Sequence, residues 1–90
     1  GVMVRLDFNK DGRPDLLLLS AAAGGDVLLR NDGGKLTDVT AAAGLTGPGS
    51  LGCAVGDFDN DGWPDLALTH PGGVRLLRNV NGQRFEDKTK

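Results

Sequence analysis

Residues 57–66 read DFDNDGWPDL, and fifty positions earlier residues 7–16 read DFNKDGRPDL. Aligning the two places Asp7 on Asp57, Phe8 on Phe58, Asp11-Gly12 on Asp61-Gly62 and Pro14-Asp15-Leu16 on Pro64-Asp65-Leu66. The correspondence runs on downstream, where VLLRNDGGKLTDVT (27–40) answers VRLLRNVNGQRFEDKT (74–89). A chain of 90 residues with a period near fifty therefore holds almost two copies of one unit. Units of this length bury their apolar faces against each other, so the repeat bounds the fold before any single residue does.

Each copy divides into four short apolar segments separated by turn chemistry. In the first they are Val2 to Leu6, Leu16 to Leu19, Val27 to Arg30 and Leu36 to Val39; in the second, Cys53 to Gly56, Leu66 to Thr69, Val74 to Arg78 and Phe85 to Lys88. The separators also recur: a carboxylate-rich loop, then AAAGGD or HPGG, then NDGGK or NVNGQ. Fifteen glycines, four prolines and only four aromatics fit a chain of tight turns and short strands. Consecutive antiparallel hairpins follow, with Ala41 to Ala43 as a single helical turn stopped by Gly44 in the connection TAAAGLTGPGSLG. The fold expected is all-β: two four-stranded antiparallel β-propeller blades per chain, residues 1–50 with the connecting loop and residues 51–90. A solenoid is the competing arrangement, with repeats that are ordinarily shorter.

Seven of the twelve acidic residues sit in the two quoted loops. Asp57, Asp59, Asp61 and Asp65 stand at positions 1, 3, 5 and 9 with Gly62 at position 6; in the first copy these are Asp7, Asn9, Asp11, Asp15 and Gly12. Alternate residues of such a loop turn their oxygens toward one point, and the glycine permits the bend that brings in a backbone carbonyl at position 7, that of Trp63 or Arg13. A set made only of oxygens, without nearby His or Cys, selects a hard cation that tolerates irregular coordination, and Ca²⁺ suits it better than Mg²⁺ or Zn²⁺. The charges themselves call for neutralisation: two carboxylates about 4 Å apart repel by on the order of 4 kcal/mol at an effective dielectric of about 20. Two calcium ions per chain are expected, the first loop binding more weakly because Asn9 removes one charge. Solvated DG and PD turn dipeptides are the plain alternative, disfavoured by the in-register repetition. An EF-hand or dockerin loop would need an acid at position 12, where this chain has Leu18 and Leu68, and a following helix, where it has the strand-like runs LLLLS and LALTH.

With DFDNDGWPDLALTH, LLRNVNGQRFEDKT and RNDGGKLTDVTAAAGL in view, the chain resembles the FG-GAP or VCBS-type repeats of integrin-α-like β-propellers, in the manner of the cartilage acidic protein and ASPIC/UnbV group. The resemblance covers nearly the whole sequence and rests on DxDxDGxxD together with RNxxGxxFxDxT. It implies that the loop lies between the first two strands of a blade and binds calcium. The implied ligands are Asp57, Asp59, Asp61, the Trp63 carbonyl and Asp65, and likewise Asp7, Asn9, Asp11, the Arg13 carbonyl and Asp15. The family carries more blades in one chain than the two read here.

Two blades alone would leave broad apolar faces in water, so closure into a ring by identical chains is expected: a trimer of six blades first, a tetramer of eight second. Phe8 and Phe58 are read as core anchors between blades, and Arg30 and Arg78 as bridges to a neighbouring blade's carboxylate. Trp63 covers the calcium loop or, in a lectin-like alternative, stacks on a glycan or protein partner. His70, the single histidine, has no Ser or Cys partner at catalytic spacing, and no convergent polar constellation for an enzyme is legible. The ten Lys and Arg are scattered, which argues against nucleic acid, and no apolar run reaches 18 residues, which argues against a membrane span. Cys53, the lone cysteine, reads as a small buried residue beside Ala54 and Val55. The stretch is expected to be a mature segment, an excised fragment or an engineered chain, of secreted, extracellular or periplasmic setting.

Overall fold

The computed structural model describes residues 2–20, 25–45, 47 and 49–89. Within them eight strands follow one another: β1 (Val2–Leu6), β2 (Asp15–Leu19), β3 (Val27–Asn31), β4 (Leu36–Asp38), β5 (Gly52–Gly56), β6 (Asp65–His70), β7 (Gly73–Val80) and β8 (Arg84–Asp87). They form two antiparallel four-stranded sheets in plain sequence order, β1-β2-β3-β4 and β5-β6-β7-β8, and no helix occurs among the described residues. Of the turn read at AAAGGD, residues 21–24 lie outside the described set, as do positions 46 and 48 of the connection.

The register repeats as the sequence does. Leu6 pairs with Asp15 and Leu16 with Leu29 in the first sheet; Gly56 pairs with Asp65 and Leu66 with Leu77 in the second. Asp15 and Asp65 thus open β2 and β6, one residue before the aliphatic runs, because each pairs across to the end of the preceding strand. Along β2 burial alternates, with Leu17 and Leu19 buried and Leu16 and Leu18 only half covered, as side chains on opposite faces of a strand require.

This alternation decides how the sheets meet. Leu6, Leu17, Leu19 and Leu28 on one face of the first sheet and Leu66, Leu68, Leu77 and Phe85 on the facing side of the second belong to one core. Phe8 is buried at this joint, its ring 6.1 Å from that of Phe85, and its carbonyl accepts a 2.8 Å hydrogen bond from Asn79 Nδ2. Phe58, expected as an equal anchor, is instead 56% exposed. The reason is positional: the face of the second sheet that carries Phe58 has no sheet laid on it.

The connection is fastened at both ends. Ala43 N donates to Val39 O at 2.8 Å and Gly44, with φ +76°, ends the single turn expected there. The turn delivers Ala43 and Leu45 into the core, and Ala43 O accepts the N–H of Phe85 on β8. Farther on, the buried Asp26 accepts from Ser50 N, Ser50 Oγ and Ser20 N at 2.9, 2.6 and 3.0 Å.

Candidate metal centre

Both loops are wired alike before any ion is considered. Asp7 accepts the N–H groups of Asp11 and Gly12, and Asp57 those of Asp61 and Gly62, the last at 2.7 Å. Asp11 accepts from Arg13 N and Asp61 from Trp63 N, which ties in the two residues read for their carbonyls. The backbone turns left-handed twice, at Lys10 and Gly12 (φ +57° and +85°) and at Asn60 and Gly62 (φ +63° and +88°). The glycines were legible as the bend; the left-handed Lys10 carries no compositional signal.

The ninth position does something more than the spacing suggests. Asp15 is fully buried, and its carboxylate accepts from Phe8 N at 3.2 Å and Asn31 N at 2.8 Å; Asp65 does the same with Phe58 N and Asn79 N at 2.9 and 2.7 Å. Each therefore staples the start of its loop to the third strand of its sheet, with oxygen lone pairs left over. Asn79 completes the staple by accepting Gly82 N on its own side chain, and Asn31 does likewise with Gly33 and Gly34. The recurring Asn of the RN pair is thus part of the site's frame. The recurring Arg is not an inter-sheet bridge: Arg30 pairs with Asp32 at 2.7 Å, and Arg78 with Asp59 at 2.9 Å, all within one repeat, because each guanidinium lies over its own loop and turn.

In the second loop, carboxylate oxygens of Asp57, Asp59, Asp61 and Asp65 all lie within 4.8 Å of one another, the one such convergence of acidic, His or Cys groups among the described residues. Three are exposed and Asp65 is buried, so the cluster opens outward over a fixed base. A hard divalent ion fits this donor set. In the first loop Asn9, with its amide nitrogen turned to its acceptors, donates to Asp7 Oδ1 and Asp11 Oδ1 at 3.1 Å each. The amide N–H groups satisfy acceptors on both carboxylates, and its oxygen would turn to an ion only if the group rotated.

Titration follows these environments. Burial pushes the Asp15 carboxyl up, against the N–H bonds from Asn31 and Phe8, and the charges of Asp11 and Asp7 add to the rise. For Asp57 the upward pull of desolvation is outweighed by the N–H groups of Gly62 and Asp61, which hold it below the usual range. The Cys53 thiol, half-buried, is pushed up to about 11 by burial and by Asp26, in keeping with an unreactive packing role.

Trp63 is half-buried. A Cβ on Gly82 would stand 2.6 Å from its Cζ3, and Lys10 Nζ from the first loop sits 4.6 Å from its ring centroid. Its faces are thus engaged by the β7–β8 turn and the neighbouring loop.

A family model described as FG-GAP-like repeat matches residues 7–68 and, a second time, residues 57–90. No match was found among curated proteins or among solved structures.

Proposed function

The chain belongs to the FG-GAP-like repeat family, and on that premise we propose that it is a non-enzymatic, calcium-stabilised β-propeller module whose two sheets are blades of a closed ring. The observation that carries the reading is the second loop, where four carboxylates converge between the first two strands of a sheet. Asp57, Asp59, Asp61 and Asp65 would hold the ion there with the Trp63 carbonyl, and Asp7, Asn9, Asp11, Asp15 and the Arg13 carbonyl would do so in the first loop. When bound, calcium supplies charge neutralisation and cross-links loop to sheet. The protein's own part is to pre-form the cage: Asp57 and Asp61 bend the loop through its N–H groups, and Asp65 fixes its base to β7.

Affinities in the range of extracellular calcium modules suit partly exposed ligands of this kind, and a secreted, extracellular or periplasmic setting supplies the ion at that level. Ring closure by identical chains needs an even number of blades, a trimer before a tetramer.

Calorimetric titration tests the calcium reading directly. Two calcium ions per chain are expected, the first loop weaker, with Asp61→Ala abolishing the second site and excess chelator lowering the melting temperature by several degrees or more. A melt indifferent to chelator, or a protein that takes up no calcium, overturns it.

A further inference from the structure

The joint between the two sheets has a polarity. The first sheet contributes the face bearing Leu17, Leu28 and the loop residue Phe8; the second contributes the opposite face, bearing Leu66, Leu77 and Phe85. By the shared register, the uncovered face of the second sheet (Ala67, Leu76, Phe58) is the counterpart of the first, and the outer face of the first sheet (Leu16, Leu29, Leu36) is the counterpart of the second. The two outer faces are thus the two halves of a joint that the sheets already make once. Both halves are open to water: Phe58 is 56% exposed, Leu36 49% and Leu76 44%.

The small contacts of the joint are duplicated too. Asn79 reaches the Phe8 carbonyl, and Gly82 lies so close to Asn9 that a Cβ would stand 2.9 Å from its Cα. Their first-repeat counterparts are Asn31, which holds its own turn in the same way, and Gly34, which has nothing within 4 Å. Charge agrees with the geometry. Trp63, where Lys10 approaches at the internal joint, corresponds to Arg13; the loop that would approach Arg13 carries Asp59 and Asp61.

We propose that the uncovered face of the second sheet docks the outer face of the first sheet of a second copy, head to tail, with Leu36 over Phe58 and the Asn31 amide donating to the Phe58 carbonyl. This rests on the ring reading and specifies its interface. The contact is heterologous, so it propagates and closes only when the rotation between copies brings the last onto the first. It is also shallower than the internal joint. Gly56 and Ala67 replace Leu6 and Leu17, and the Phe58 ring folds back over Gly56, where a Cβ would meet it at 3.0 Å.

Complementation distinguishes this joint from any other. Leu76→Asp and Leu36→Asp each spoil one half and leave the internal core intact, so each variant alone, in calcium, is expected to be monomeric by native mass spectrometry with an unchanged strand signal. Mixed in equal amounts at high concentration, they form a one-to-one dimer and nothing larger. Leu36→Phe, which rebuilds the internal aromatic pair, strengthens association of the wild-type background roughly two- to tenfold. Variants that assemble as the wild type does, or a mixture that stays monomeric, overturn the joint while leaving the ring reading standing. A monomeric wild type overturns both.

Discussion

Asp65 and Asp59 are both loop carboxylates, yet they have different work. Asp65 is buried and holds two backbone N–H groups; Asp59 is exposed and meets Arg78. Asp65→Ala leaves those donors without partners and is expected to lower unfolding free energy by about 2–5 kcal/mol even in chelator, read from urea denaturation. Asp59→Asn should leave chelated stability nearly unchanged and weaken calcium binding instead. Arg78 holds Asp59 at 2.9 Å and would compete with an ion for it, so Arg78→Gln is expected to tighten the second site severalfold in calorimetric titration, an exposed ion pair being easily given up. A loss of affinity would mean that the guanidinium supports the cage.

At the level of elements, the outer strands of the two sheets carry the same clamp. Thr40 Oγ1 accepts Leu28 N while donating to Asp38, and Thr89 accepts Leu76 N beside Asp87. The Thr40 hydroxyl and N–H hold the Asp38 carboxyl below its ordinary value, and those of Thr89 do the same for Asp87. A carboxylate depressed by folding contributes stability above the unfolded pKa, about 3.9, and loses it as pH falls through the lower folded value. Asp15, whose carboxyl is raised, works in the opposite direction. In chelator, urea midpoints should therefore fall as pH drops below about 4, and Asp38→Asn combined with Asp87→Asn should flatten that fall. The turns differ more than the clamps. Gly82, with φ +72°, is packed against Trp63 and Asn9, whereas Gly34, with φ +103°, faces open space. Alanine at 82 is expected to cost about 1–3 kcal/mol more than alanine at 34 in thermal or urea unfolding.

For the whole molecule the two proposals are thermodynamically linked. Phe58, at the proposed docking face, stands between the proposed ligands Asp57 and Asp59, so calcium that ordered the second loop would order the surface offered to the next copy. Whatever factor calcium adds to association, association adds to calcium affinity at that loop. Sedimentation should show assembly growing with calcium. The first loop, already gripped by Asn79 and Gly82 and touching the next copy only through Arg13, should show a weaker dependence of its affinity on protein concentration than the second.

The repeat, the all-β hairpin order and the acidic loops were legible because each is local: period-two alternation, turn residues and one-three-five spacing act within a few positions of themselves. The positions of strand ends were nearly so: Asp15, Asn31 and Asp65 were missed because their pairing lies across the sheet, while Val39 and Lys88 were placed one residue past the ends of β4 and β8. Legibility stopped where the partner was distant in sequence. Nothing near Asp15 marks it as the acceptor of Asn31 N, nothing in RN says that Arg78 turns inward to its own loop, and Phe8 and Phe58 hold the same position of the repeat, each after an Asp, although one is buried and the other bare. Local pattern can specify a blade; only the stacking of one sheet on another decides which of its two faces, and which of two equal phenylalanines, escapes water.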